Sequence, residues 1–333
     1  MSVANAKDDS LGDVAAIILA AGKSTRMRSG MAKVLHEVCG LPMLGFALSA
    51  CRVAGLDRLI VVVGHHKDEV IRRFATEQNV TWVEQSEQKG TAHALLCCRE
   101  ALAGFEGSVL VLAGDMPLVR REVLMELVDA RKQSGAAMTL ATSVLENPAG
   151  YGRIVRDRGG DLESVVEDRN CTPQQREIRE VNPSYYCFDA QRLFPLLDRI
   201  EPDPVKGEYY LTDVVGILCR DGRKVSAKIR VSPEEAMGIN SRGDLATVGR
   251  IMQDRIQHDL LEEGVTIVDP GKTWIEAGVT VGPDTTIHPF TFVGAGATIG
   301  AGCQIGPFAR IGKDETVAEG TIVAPGLGSG KEV

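Results

Sequence analysis

"LAAGKSTRMRSGMAKVLH" occupies Leu19–His36, directly after the apolar run Val14-Ala15-Ala16-Ile17-Ile18. Gly22-Lys23-Ser24 has the ending of a phosphate-cradling P-loop, but that loop needs a second glycine five residues upstream, and the position is Ile17, inside a strand. What remains is a strand that runs into a small-residue turn, Leu19-Ala20-Ala21-Gly22, followed by Lys23, Arg26, Arg28 and Lys33. Small side chains let backbone N–H groups approach a polyphosphate, and nearby cations offset its roughly four negative charges. A solvated basic loop is the alternative reading of the same residues.

Outward from this stretch, β-branched runs alternate with helical patterns from Val14 to about Asp244, which predicts an α/β domain on a largely parallel sheet. Val14–Ala20, Arg58–Gly64 and Ser108–Asp115 read as buried strands, apolar almost throughout as strands covered on both faces are. Leu44, Ala47, Leu48 and Cys51 follow Pro42 at helical spacing. Ligands of such sheets sit beyond the carboxyl ends of the strands. Gly22, Gly64 and Asp115 mark three of those ends.

Arg242–Glu263 carries Leu245, Val248, Met252, Ile256 and Leu260 among many charges and reads as an amphipathic linker helix. After it, Ile275, Val281, Ile287, Val293, Ile299, Ile305, Ile311, Val317 and Val323 recur at an unbroken six-residue step. Four positions on stand mostly small or β-branched residues, with Glu315 an exception. This is the hexapeptide pattern of a parallel β-helix, here of about three coils. The expected organisation is a flexible tail over 1–13, a nucleotide-handling domain over 14–241, a linker helix over 242–264, a short left-handed parallel β-helix over 265–327 and a tail over 328–333.

The formal net charge of −8 provides no general basic field, so nucleic acid is not an expected partner. The first dozen residues lack the apolar core of a signal peptide, and no run suggests a membrane span; a cytoplasmic location without membrane insertion is expected. The eight cysteines never form a C-x-x-C pair and read as reduced core residues. His65 and His66 read as a solvated loop, His36 and His93 as packing or hydrogen-bonding residues, and Trp82 as packed.

Seven motifs fall in one order: LAAGKSTRM with Lys33-Val34-Leu35-His36, then QSEQKGTAHA (Gln85–Ala94), AGDMPL (Ala113–Leu118), GYGRIV (Gly150–Val155), VVEDRN (Val165–Asn170), GEYYLTD (Gly207–Asp213) and GINSR (Gly238–Arg242). Together they resemble the sugar-phosphate nucleotidyltransferases, most closely the uridyltransferase half of the bifunctional N-acetylglucosamine-1-phosphate uridyltransferase/glucosamine-1-phosphate acetyltransferase family. The resemblance implies a Rossmann-like nucleotidyltransferase domain that makes UDP-N-acetylglucosamine, a cell-wall precursor, from UTP and N-acetylglucosamine 1-phosphate. It implies that Leu19, Ala20, Ala21 and Gly22 cradle the nucleotide and that Gln85, Gly90 and Thr91 read uracil. By the same resemblance Asp115 and Asn240 hold Mg²⁺, and Gly152, Glu167 and Asn182 bind the amino sugar, with Tyr209 and Thr212 beside them. Arg26 and Lys33 would embrace the triphosphate and stabilise charge in the transition state.

The implied reaction is in-line attack of the sugar phosphate on the α-phosphorus, releasing pyrophosphate, with no general base because the nucleophile is already ionised. Hexapeptide solenoids of this family form homotrimers, which is the expected assembly. Two positions depart from the family pattern: Ser24 stands where glycine is usual, and Asn182-Pro183-Ser184 where Asn-Thr-Gly is common. The later acetyl-transfer motifs have no counterpart in these residues, so acetyl transfer is not expected. Another base or sugar phosphate on the same fold, or a non-catalytic scaffold subunit, are the competing readings.

Overall fold

The computed structural model describes residues 13–22 and 26–326. Expectations for the two tails, and for Lys23 and Ser24, lie outside the described residues. The chain divides into two compact units, one made of residues up to Leu35 with Met43–Asn240, the other of His36–Pro42 with the residues from Ser241 onward.

The first unit is built on a ten-stranded sheet. Its strands are β1 (Val14–Leu19), β2 (Arg58–Val63), β3 (Val80–Glu84), β4 (Ser108–Ala113), β5 (Met138–Val144), β6 (Gly152–Arg156), β7 (Leu162–Val166), β8 (Glu180–Asn182), β9 (Tyr186–Asp189) and β10 (Val225–Arg230). The order is β3-β2-β1-β4-β9-β5-β8-β6-β7, with β10 on β5. β1 lies between β2 and β4 and is parallel to both, Ile17 facing Ile60 on one side and Val111 on the other. Strand order therefore reverses at β1, and the crevice this leaves at its carboxyl end is where open α/β sheets take ligands. The ladder runs on into the turn, because Ala20 N–H donates to Val62 at 2.8 Å and Gly114 N–H to Leu19 at 2.9 Å.

Parallel pairing joins β3, β2, β1 and β4, and beyond β4 the sheet is mostly antiparallel. The reason lies in the connections. Helix α1 (Met43–Val53), α2 (Thr91–Leu96) and α3 (Arg121–Ser134) lie in the crossovers of the first part, whereas the link from β6 to β7 is too short for a crossover and can only return antiparallel. Leu44, Ala47, Leu48 and Cys51 of α1 are all buried, as their spacing predicts. α4 (Ala190–Leu197) and α5 (Asp213–Arg220) cover the other face, where Leu193, Leu197, Val214 and Leu218 join the core of Ala15, Ile17 and Ile60. The eight cysteines are free thiols, six of them buried.

The second unit opens with α6 (Arg242–Glu262), whose N-terminus is closed by a capping box between Ser241 and Asp244. Three parallel sheets of two-residue strands follow, and within the six-residue series paired strands lie 18 residues apart, as Ile275 does from Val293 and Val293 from Ile311. All nine aliphatic hexad positions are buried. Ile267 heads the series, paired with Ile287, but stands eight residues before Ile275 and so escapes a search at step six. Glu315, the exception among the small corner residues, accepts the N–H of Gly312.

Two buried glutamines on α6 interrupt its apolar face. Gln253 takes the N–H of Ile275 at 2.9 Å and donates to the same residue's carbonyl, while Gln257 donates to the carbonyl of Thr273 at 2.8 Å. They satisfy backbone groups at the Trp274–Ile275 edge that an aliphatic side chain would leave orphaned. The segment His36–Pro42 is a small hairpin, Glu37–Val38 against Leu41–Pro42. Cys39 anchors it: its carbonyl accepts from Ala277 N at 2.9 Å and its sulfur from Gln253 Nε2 at 3.3 Å.

Candidate active site

A cleft of about 500 Å³ opens at the carboxyl ends of β1 and β4. Leu19, Ala20, Ala21 and Gly22 form its floor, Lys33 and Asp115 one side, Gln85, Gly90 and Thr91 another, and Glu167 and Thr212 the far wall. Eleven of the residues singled out in the sequence thus meet at one cavity. A smaller cavity of about 260 Å³ shares the turn, and His65 and His66 line it with Arg28.

The polar centre is a cluster of four side chains. Lys33 donates its ammonium to Asp115 Oδ2 and to Asn240 Oδ1, the latter at 2.9 Å, and Arg26 reaches the same Asn240 oxygen at 3.0 Å. Asp115 is placed by the end of β4, and its carbonyl takes the N–H of Ile239, which holds the Gly238-Ile239-Asn240 segment beside it. A carboxylate oxygen and an amide oxygen therefore converge on one cationic point, now filled by the Lys33 ammonium. Two hard oxygens of this kind fit a divalent ion of the Mg²⁺ type, which Asp115 and Asn240 would hold.

On the second wall Gln85 is buried, and its amide NH₂ is spent on the carbonyl of Gly90 at 3.0 Å and on His93 Nδ1 at 3.1 Å. That leaves Oε1 as the acceptor for a ligand, and assigns the His93 ring proton to Nε2. His93 is thus a hydrogen-bonding residue, and what it orients is Gln85. Gly90 starts α2 at φ +99°, and a Cβ there would lie 2.4 Å from the carbonyl oxygen of Tyr209. Tyr209 works through its backbone, accepting from Ala92 N at 3.0 Å and donating to Lys89 O at 2.7 Å. Thr91 Oγ1 in turn accepts Leu211 N–H at 2.9 Å, so this segment ties the second wall to the third.

On the third wall Thr212 donates to Glu167 Oε1 at 2.8 Å. Gly152 and Asn182 lie behind the surface: Gly152 packs on Val165, and Asn182 holds Tyr186 OH at 2.6 Å and Ser184 N at 3.1 Å. Two features that motif reading passed over are Arg153, buried and bonded to Asp168 at 2.8 Å beside Glu167, and Tyr186, whose phenol burial holds far above its ordinary range. Arg153 stands inside GYGRIV, and a buried arginine facing a motif aspartate is the signal that could have found it.

Burial raises the pKa of the Glu167 carboxyl, more than Thr212 and Arg169 lower it. The Asp213 carboxyl, desolvated and facing Glu167 and Asp203, is pushed up to about 6 although the residue as a whole is exposed. An acid with a raised folded-state pKa holds its proton more tightly folded than unfolded, so its ionisation costs stability as pH rises from about 4 through about 6. Asp213→Asn is therefore expected to be more stable than the wild type at pH 7.5 and to lose that advantage by pH 4; denaturant melts at the two pH values check this. An equal difference at both would leave the carboxyl's ionisation out of the balance.

The MobA-like NTP transferase domain model matches residues 16–200, more than half of the chain and all but the last part of the sheet just described. The chain belongs to this family. The NTP transferase domain accounts for the position of the cleft at the end of β1, and the enzyme is a nucleotidyltransferase. Relatives named bifunctional protein GlmU extend the likeness past the domain: that of Geobacter metallireducens is 47% identical over 279 residues, 84% of this chain and 59% of its own length. Those of Pelobacter propionicus and Clostridium perfringens are 44% and 45% identical, covering 83% and 82% of this chain. The chain spans about three-fifths of the length of these curated relatives.

Proposed function

We propose that this nucleotidyltransferase transfers UMP from UTP to N-acetylglucosamine 1-phosphate, giving UDP-N-acetylglucosamine and pyrophosphate. The observation that carries the reading is the meeting of Arg26, Lys33, Asp115 and Asn240 at the edge of a cleft with two distinct walls. The Gln85–Thr91 wall offers an amide oxygen and close backbone to a pyrimidine edge. The Glu167–Thr212 wall offers a carboxylate and hydroxyls to a sugar.

In this reading the Leu19–Gly22 turn receives the triphosphate, and Arg26 and Lys33 supply the charge that offsets its anionic oxygens. Asp115 and Asn240 would hold Mg²⁺, which when bound neutralises phosphate charge. The phosphate of the sugar is already an anion and attacks in line, so no side chain has to remove a proton. The enzyme's work is positioning and fixed charge. Glu167, held by Thr212, is the candidate acceptor for sugar hydroxyls or the acetamido N–H. The parallel β-helix would serve homotrimer assembly, and the reaction would run in the cytoplasm, where its substrates are met. Among the described residues no helix is long and apolar enough to cross a membrane.

Pyrophosphate release with a panel of nucleoside triphosphates and sugar 1-phosphates, with and without a chelator, tests the whole reading. UTP with N-acetylglucosamine 1-phosphate is expected to be the preferred pair and chelator to abolish turnover. A preference for CTP or GTP sinks the uridyl assignment, and chelator-resistant turnover sinks the metal roles of Asp115 and Asn240.

A further inference from the structure

Gln88 lines both the large cleft and the smaller cavity that shares its turn. Its Nε2 donates to the carbonyl of Ala21 at 2.7 Å. A carbonyl oxygen can only accept, so the direction of this bond is fixed. The segment that carries Gln88 is tied on both sides, by Gln85 N–H to Val63 O at 2.8 Å and by Tyr209 N–H to Lys89 O at 2.7 Å. Gly64, at the end of β2, leaves room for the contact: a Cβ there would lie 2.7 Å from the Ala21 oxygen and 3.0 Å from Gln88 Nε2.

Two residues far apart in sequence thus serve one carbonyl in the floor of the cleft. Unheld, that carbonyl is at liberty to turn its negative end toward a polyphosphate, which repels it. In a trans peptide the N–H of the next residue points opposite to the C=O. Fixing the Ala21 oxygen on Gln88 therefore also fixes the direction of the Gly22 N–H. Gly22 lines both cavities, a Cβ there would meet nothing within 4 Å, and among the described residues no group accepts its N–H. An unspent backbone donor facing open space beside cations suits a phosphate oxygen.

We infer that Gln88 is a positioning residue: by holding the Ala21 carbonyl it keeps the Ala21–Gly22 peptide turned so that the Gly22 N–H donates to a phosphate oxygen of the nucleoside triphosphate. The inference rests on the reading above that the Leu19–Gly22 turn receives the triphosphate. The identity of the base and of the sugar, which decides the proposed function, does not enter it.

The test compares the wild type with Gln88→Met, which keeps the length of the side chain and loses the donor, and with Gly64→Ala, whose Cβ presses on the same carbonyl. With the nucleoside triphosphate that the wild type prefers and Mg²⁺ in excess, it measures Tm, kcat, both KM values and the Ki of inorganic tripolyphosphate as a competitor of the nucleotide. Misdirecting one such donor is expected to raise the nucleotide KM and the tripolyphosphate Ki by the same factor in Gln88→Met, about 3- to 10-fold, with the sugar 1-phosphate KM within about twofold. Gly64→Ala is expected to move both in the same direction, and its Ki decides the matter should Gln88→Met not fold. A higher nucleotide KM with an unchanged tripolyphosphate Ki would put Gln88 on the base and overturns the inference. An equal rise in both KM values with a lower Tm, the mark of a merely structural glutamine, overturns it as well. A wild type that tripolyphosphate does not inhibit overturns the placement of the triphosphate on the turn and this inference with it.

Discussion

Lys33→Ala is expected to lower kcat by about a hundredfold or more, the scale for losing one preorganised charge at a developing anion. Among the described residues Lys33 and Arg26 are the cations that reach the Asp115–Asn240 pair. Their geometry is already fixed: Lys33 opens the single-turn helix Lys33–Leu35, whose Val34 and Leu35 are buried and anchor its base. In the proposed reaction the ammonium would therefore cost little reorganisation when the triphosphate arrives, and its loss would fall on the step in which charge grows on the departing pyrophosphate. Arg26→Ala is expected to behave alike. Steady-state kinetics with saturating substrates decide it, since a fall in kcat with little change in KM marks a group that acts in the transition state. Near wild-type turnover in either variant would remove that residue from the chemistry.

Gly90→Ala is the second large effect. Its Cβ would lie 2.4 Å from Tyr209 O and 2.7 Å from Tyr209 N, and its φ of +99° is one that a side chain rarely adopts. Tyr209 O is the acceptor for Ala92 N–H, so neither segment can retreat without breaking the bond that starts α2. A backbone clash of this kind belongs to the class costing about 3 kcal/mol or more, which in a domain of this size lowers Tm by roughly 6–12 °C. The Gln85 amide donates to Gly90 O, so the substitution also tilts the acceptor that the proposed function offers to the base, and kcat/KM is expected to fall at least tenfold. Gly104→Ala is the control. Gly104 shares a positive φ, +71°, but a Cβ there meets nothing within 4 Å, so it carries the strain without the collision. Equal losses in both variants would mean that strain, not the Tyr209 contact, sets the cost.

Much of this fold is legible in the residues because its parts repeat or have a strong local cause. The run Val14–Leu19 can only be a doubly covered strand, and a six-residue step of aliphatics has few solutions other than a solenoid. The polar cluster was legible too, since its four members stand at the ends of strands or in motifs. What escaped depends on distant partners. Ile267 sits two residues out of step, and Gln253 and Gln257 are polar on a face that should be apolar because the orphaned groups they serve lie at Thr273 and Ile275. The left-handed backbone at Ser184 is set by Asn182 and could not be read from Pro183-Ser184 alone. Likewise, that Tyr209 acts through its main chain and Asn182 through its neighbours is a matter of orientation, on which spacing is silent.

The His36–Pro42 hairpin has a consequence in time. Its sulfur anchor, Cys39 to Gln253, spans 214 residues, so the hairpin leaves the ribosome long before the helix that receives it exists. At about 5–20 residues per second the wait is roughly 10–40 s. Through that interval the loop bearing Arg26 and Lys33 ends in a segment with nothing to close on. The nascent chain can complete the sheet around β1, yet the seven residues that follow Leu35 must stay available until translation has passed α6 and reached Ala277. Premature termination after Arg230 and before Gln253 would release a chain that holds all ten strands of the sheet and a hairpin with no partner.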